Sequence, residues 1–480
     1  MCRRGKRVGR SAHNRGCDNS SVNPTIETRS AVLRRSFRKD FPAAVRGEGV
    51  FLWDADGHKY LDLAGSAAVN FIGHGVPEIS AAISAQAAKL EFVHTSQFTT
   101  AVAEEYAGEL LDFAGVNANG HFRGGAVYFT SGGSESIETA LKLARQYQVE
   151  ISQSARYQTL SRQQSYHGST LGALSVSGNR RRREIYLPML REFAHVGMPY
   201  CYRCDFDCTD GCRNCGQQYA AELERAIEDS HGEAAAFIFE PVSGATLGAV
   251  VPPPGYLQSI AEICSRHGVL LIADEVMTGV GRTGRNFAVE HSEIKPDILV
   301  TAKGLSSGYA PLGAVIATKR VIDPIAGGSG AFLHGFTYNA HPVSLAAGRA
   351  VLRYLQAKNF VEAADSGRTG SAAAQFKQAL GSICDEEGVG DVRGIGLLWA
   401  IEFVADKTTK RPFPPEKTFA ARVSAAAMKR GLLVYPMQGS VDGISGDHIL
   451  LAPPAIITAD QIAQAAEQLR EAIREVHVSF

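Results

Sequence analysis

Short, nearly unbroken apolar runs recur along the 480-residue chain, each bounded by turn residues and separated from the next by a helical pattern. AVYFT (126–130), AAAFIFEPV (234–242), GVLLIADEV (268–276), DILVTAKG (297–304) and GAVIATK (313–319) are of this kind. A strand that is apolar on both faces must be covered on both faces, and the intervening helical stretches supply the cover. The pattern predicts an α/β fold, with a large, mostly parallel sheet between layers of helices. After AVYFT, Ile137, Ala140, Leu141 and Ala144 fall on one helical face.

Other segments frame this unit. GVFLWDADGHKYLDL (49–63) reads as a β-hairpin, apolar alternation on either side of a DADG turn. HPVSLAAGRAVLRYL (341–355) reads as a long helix leaving the sheet unit. VRGIGLLWAIEF (392–403) and HILLAPPAI (448–456) belong to a smaller α+β domain. The composition is 45% hydrophobic and 20% charged with zero net charge, so no charge excess calls for nucleic acid. No apolar stretch is long enough to cross a bilayer. The start, MCRRGKRVGRSAHNRG, is arginine-rich and acid-poor like a transit peptide, but it has no apolar helical face, which favours a disordered basic tail. The nine cysteines then suit reduced thiols in a cytoplasmic protein.

Polar residues stand where apolar runs end. Glu240 ends AAAFIFE, Asp274 ends GVLLIAD, Lys303 follows DILVTA, and the SGGS loop (131–134) joins AVYFT to a helix. Parallel sheets bind ligands beyond the carboxyl ends of their strands, and a helix N-terminus preceded by small residues suits a phosphate. Singly, each feature has a structural alternative: a solvated strand end, a helix cap, a turn. Together, a lysine, a carboxylate and a phosphate cradle on one rim are what pyridoxal phosphate requires.

The segments SGGSESIETALKLAR, SYHGSTLGAL, FEPVSGA, LLIADEVMTGVGRTG, PDILVTAKGLSSGYAPLGAV, HGFTYNAHPVSLAAG and VRGIGLLWAIEF resemble the class III (ω-) aminotransferases, fold-type I pyridoxal-phosphate enzymes. The resemblance runs from about residue 40 to the C-terminus. It implies a tail over 1–36, a small domain built from 37–85 and 341–480, and a cofactor-binding large domain over 86–340. It implies that Lys303 forms the Schiff base with pyridoxal 5′-phosphate and that Asp274 holds the ring nitrogen. Val276 and Tyr166 would flank the ring, Gly133 and Ser134 would bind the phosphate, and Thr337 would reach the phosphate of a neighbouring subunit. That role requires a homodimer with a shared active site, and such dimers can pair into a tetramer. The implied reaction is a ping-pong transfer of an amino group from an amine to a keto acid such as pyruvate.

Three departures bear on substrate and metal. Many relatives carry glutamine three residues after the ring-binding aspartate; here it is Met277, which donates no hydrogen bond. Ornithine-type relatives grip a carboxylate with arginine in R-x-A-P-P; the matching segment LLAPP has Leu450. Glu240 then lacks its usual partner, and Arg393 is the candidate substitute, with a structural role as its alternative. A donor with its amine remote from any carboxylate is expected. PYCYRCDFDCTDGCRNCGQQY (199–219) carries Cys201, Cys204, Cys208, Cys212 and Cys215; Cys201-x-x-Cys204 and Cys212-x-x-Cys215 form either a four-thiolate zinc site or a reduced surface insertion. Diaminopelargonate-type transaminases, dialkylglycine decarboxylases and aminomutases share the cofactor residues and stay open as alternatives, as does a non-catalytic scaffold.

Overall fold

A computed structural model describes residues 31–115, 120–206 and 214–479. Most of the expected N-terminal tail, and Cys208 and Cys212 of the cysteine-rich segment, lie outside the described residues. Residues 31–43 form no strand or helix and belong to a unit apart; the chain from Ala44 onward is one compact unit.

Three sheets organise that unit. The first takes β1 (Ala44–Glu48), β2 (Phe51–Asp54) and β3 (Lys59–Asp62) from the N-terminal side. The hairpin read from GVFLWDADGHKYLDL is β2–β3, with Phe51 opposite Leu61 and Trp53 opposite Lys59. The large sheet uses β4 (Ala126–Thr130), β5 (Gln158–Arg162), β6 (His195–Val196), β7 (Ala234–Phe239), β8 (Leu270–Asp274), β9 (Ile298–Thr301) and β10 (Gly313–Ala317). Its seven strands run in the order β4-β10-β9-β8-β7-β5-β6. Every residue of β7, β8, β9 and β10 is buried, as expected of strands covered on both faces. The third sheet uses β11 (Val389–Ile395), β12 (Leu398–Phe403), β14 (Tyr435–Gln438) and β15 (Asp447–Leu451) in the order β11-β12-β15-β14, while β13 (Leu432–Leu433) returns to pair in parallel with β3. The first sheet therefore joins the two ends of the unit.

The large sheet is parallel except at β10, which runs antiparallel to both β4 and β9. Its first residue, Gly313, pairs with Thr130, the last residue of β4. A Cβ on Gly313 would collide with Ser136 Oγ and Thr130 Oγ1, so only glycine lets β10 begin this close to the loop after β4.

Contacts from distant segments fix the rim. Ser307 Oγ accepts from the backbone N–H groups of Phe71 and Ile72 at 2.8 and 3.1 Å. Tyr309 Oη accepts from Val76 N at 2.7 Å and donates to Gly73 O at 3.0 Å. Arg282, wholly buried, donates to Asn70 O (2.8 Å), Leu397 O (3.3 Å) and Pro453 O (2.6 Å) and lies 4.8 Å from the Phe71 ring centre. Burial pushes its pKa down to about 9, opposed by Asp62. One guanidinium thus satisfies carbonyls from three separate chain segments. Arg282→Met keeps the apolar stem and leaves those carbonyls without their donor. The unfolding free energy should fall by about 3 kcal/mol, read from the urea midpoint; an unmoved midpoint would show that other donors replace it.

Candidate active site

The carboxyl ends of β4, β5, β7, β8 and β9 open onto one cavity of about 470 Å³. Its lining includes the 131–134 loop, Tyr166, His167, Glu240, Asp274, Val276, Met277 and Lys303. Of the residues singled out from sequence, Lys303, Asp274, Gly133, Ser134, Tyr166, Val276 and Glu240 meet here; Thr337 and Arg393 do not.

Lys303 stands two residues beyond β9 and is half-buried where it lines the cavity. Its φ is 41°, a left-handed conformation that costs a side-chain-bearing residue about 1–3 kcal/mol. Burial pushes its pKa down to about 8; the carboxylates of Asp274 and Glu240 pull it back up, and Arg182 and Arg282 push it further down.

Asp274 is the last residue of β8 and is buried. Its Oδ1 accepts from Val276 N at 3.1 Å, and its Oδ2 lies 2.7 Å from His167 Nδ1. His167 is buried, donates its backbone N–H to Ser177 Oγ at 2.8 Å, and has no hydrogen-bond partner at Nε2. The pair fixes the aspartate's orientation from below. Sequence reasoning passed over His167, although it adjoins Tyr166 in SYHG; nothing in the local spacing ties it to Asp274.

The helix Gly133–Glu150 begins at the rim with Gly132 as N-cap and no side chain capping its first turn. Glu135 reaches back to Ser131 N at 2.8 Å, outside that turn. A Cβ on Gly133 would come within 3.1 Å of Val276 Cγ1, whereas one on Gly132 would meet nothing within 4 Å. With no side chain capping them, the first-turn N–H groups are available to an anion. An uncapped helix start, an oriented carboxylate and a partly dehydrated lysine around one cavity fit pyridoxal phosphate. Gly133 and Ser134 would hold its phosphate, Asp274 its ring nitrogen, and Lys303 its aldehyde carbon.

Glu240, just past β7, is buried; its Oε1 accepts from Gly244 N at 3.0 Å and its Oε2 from Tyr166 N at 3.4 Å. Burial raises its pKa, opposed by His167 and Arg162 and reinforced by Asp274. Backbone amides take the place of the missing arginine. Leu450 is fully buried in an apolar cluster with Val242, Leu398 and Ala400, against which Met277 packs. Arg393 corrects the sequence reading. Its guanidinium pairs with Glu402 (2.8 Å) and Asp391 (2.9 Å), donates to Gly248 O (2.7 Å) and Leu247 O, and stacks 4.8 Å from Tyr200. It braces β11 and β12 against the 247–248 turn and does not line the cavity. Thr337 is exposed in a turn of the 327–342 segment, also away from the cavity lining.

In the cysteine-rich segment, Cys204 Sγ and Cys215 Sγ lie 3.2 Å apart, and Tyr219 Oη is 3.7 Å from Cys204 Sγ. Among the described residues, no three cysteines bring their sulfurs together as a metal would require. No helix among them is long and apolar enough to cross a membrane.

A family model described as Aminotransferase class-III matches residues 35–473. An uncharacterized aminotransferase of Bacillus subtilis (strain 168), YodT, is 37% identical over 449 residues, covering 93% of this chain and 98% of its own. An adenosylmethionine-8-amino-7-oxononanoate aminotransferase of Geobacter sulfurreducens is 33% identical, with 90% and 92% covered. The solved structure of a thermostable (S)-enantioselective omega-transaminase from Thermomicrobium roseum superposes with a TM-score of 0.82 at 37% identity, over 92% of this chain and 94% of that one. With the lysine, carboxylate and helix start converging as they do, the chain belongs to the class III aminotransferases, pyridoxal-phosphate-dependent enzymes of fold type I.

Proposed function

We propose that the protein transfers an amino group from an amine whose nitrogen is remote from any carboxylate to a keto acid of the pyruvate type, by a ping-pong mechanism. The observation that carries this reading is the cavity wall. Lys303 and Asp274 face a lining that contains Val69, Val242, Ala245, Met277 and Leu312 and, among the described residues, no arginine. Such a wall favours the apolar body of an amine and offers no bidentate grip at the reacting carbon.

Pyridoxal phosphate, when bound, supplies an aldehyde that captures amines and a ring that withdraws electrons from the carbon bearing nitrogen. The chain's residues do the rest. Asp274, oriented by His167 and Val276 N, would hold the ring nitrogen and its proton. Lys303, which lines the same cavity, would be the base that moves a proton at the amine-bearing carbon. Tyr166 and Val276 restrict the space on either side. Thr337, exposed on its turn, is free to approach the phosphate site of a second copy in a homodimer.

A diaminopelargonate-type reaction is the second reading, favoured by relatives named as adenosylmethionine-8-amino-7-oxononanoate aminotransferases at 32–33% identity. Spectra of the half-reaction with a panel of amines separate the two. Conversion by simple ω-amines, with parallel double-reciprocal plots against pyruvate, supports the first; response to adenosylmethionine alone, or intersecting plots, overturns it.

Two further outcomes test the lysine. Lys303→Ala should abolish borohydride-fixable attachment of the cofactor and lower kcat by at least ~10³-fold; undiminished turnover would sink the assignment. In cofactor-free protein only the neutral amine attacks an aldehyde. Because burial lowers its pKa to about 8, covalent capture should accelerate as pH rises through about 8 and level off above it. A rate still climbing steeply to the ordinary lysine pKa would show that the side chain is fully hydrated.

A further inference from the structure

A keto acid brings a carboxylate into a site whose own lining already holds Asp274 and Glu240. An unpaired carboxylate loses its hydration there without compensation, so a cation must meet it. The usual arginine position is Leu450, and Arg393 is held by Glu402 and Asp391. Arg282 is held by its carbonyls, and buried Arg162 donates to Glu240 O. The source of positive charge must lie elsewhere.

The short helix Arg180–Arg183 carries four consecutive arginines, of which Arg182 lies against Tyr166. Arg181 donates to Gln438 Oε1 at 2.7 Å, Arg180 is exposed, and the charge of Arg183 is met by Glu192. Arg182 differs. Its guanidinium lies 4.3 Å from the centre of the Tyr166 ring, a wall of the cavity. Among the described residues it makes no ion pair and its side chain no hydrogen bond, although it is only half-exposed. Its backbone is fixed: Arg182 N donates to the Asn179 side chain at 3.2 Å, and Asn179 Nδ2 donates to Gln164 Oε1 at 2.8 Å. Its charge is felt at Lys303, whose ammonium it disfavours. A guanidinium stacked on an aromatic wall, with its N–H edge unused and within electrostatic reach of the reacting lysine, is arranged to receive an anion.

We propose that Arg182, stacked on Tyr166 just outside the cavity lining, is the specificity residue that binds the carboxylate of the acceptor, so that acidic and neutral substrates use different sides of the site: Arg182 for the keto acid, the Met277 side for the apolar body of the amine. The inference rests on the transamination reading. It also explains how an active site without an arginine in its lining accepts a keto acid after an amine that carries no charge of its own beyond the nitrogen.

The test uses cofactor-loaded protein and the variants Arg182→Gln and Arg182→Lys. Three quantities are compared: KM for pyruvate, the half-reaction constant for an arylalkylamine lacking a carboxylate, and the Kd of propanoate, an unreactive carboxylate, by calorimetry. In Arg182→Gln, the pyruvate KM and the propanoate Kd should both rise about 10- to 100-fold, the worth of a charge-assisted pair. The amine constant should move less than about threefold, and Arg182→Lys should recover part of the loss. Equal losses for amine and pyruvate, or unchanged propanoate binding, overturn the proposal; the first would mean that Arg182 only packs Tyr166 in place. If the unaltered protein shows no amine half-reaction at all, the transamination reading fails, while propanoate binding still reports on Arg182.

Discussion

A lysine held partly out of water between two carboxylates is the constraint to which the rest of the structure answers. Hydration is what keeps an ammonium protonated, and at Lys303 its loss outweighs the attraction of Asp274 and Glu240. The position also has a left-handed backbone, and the loop that follows it is tied down where Ser307 and Tyr309 accept hydrogen bonds from the backbone of the 71–76 segment. The carboxylates themselves remain available because other groups orient them: His167 and Val276 N for Asp274, Tyr166 N and Gly244 N for Glu240. The site is thus built outward, from an energetically costly side chain to the loops that make its cost tolerable.

The large sheet was legible because its central strands are buried on both faces and so carry unbroken apolar runs. The runs read at 126–130, 234–242, 268–276, 297–304 and 313–319 all contain strands. β5 was not legible, since QTLSR has one apolar residue; its polar members point at buried partners, as when Ser161 donates to Val176 O. The two-residue strands β6 and β13 are too short to leave a pattern. Nor does composition reveal that β10 runs backwards, because a fully buried strand reads the same in either direction.

The site divides along the same line. Residues at strand ends could be placed from the sequence because a polar residue closing an apolar run is conspicuous. Contacts across the fold could not. Arg393 looked available until Glu402, from the neighbouring strand, was seen beside it. Met277 and Leu450 looked like two separate departures. In three dimensions they pack on one apolar cluster, so they amount to a single exchange of a polar wall for a greasy one.

The reversed strand has a mechanical consequence. Because β10 starts on the rim where β9 ends, the stretch from Ala302 to Leu312 is anchored at both feet to the same edge. It behaves as an arch rather than a tether, with the lysine near one springing point and the anion cradle pressed against the other through Gly313 and Thr130. With both feet pinned by strand pairing, residues added within the span would bulge outward between fixed ends, while the segments carrying Val69, Tyr166 and Val242 line the cavity from outside it and can change its shape without moving the lysine's foot.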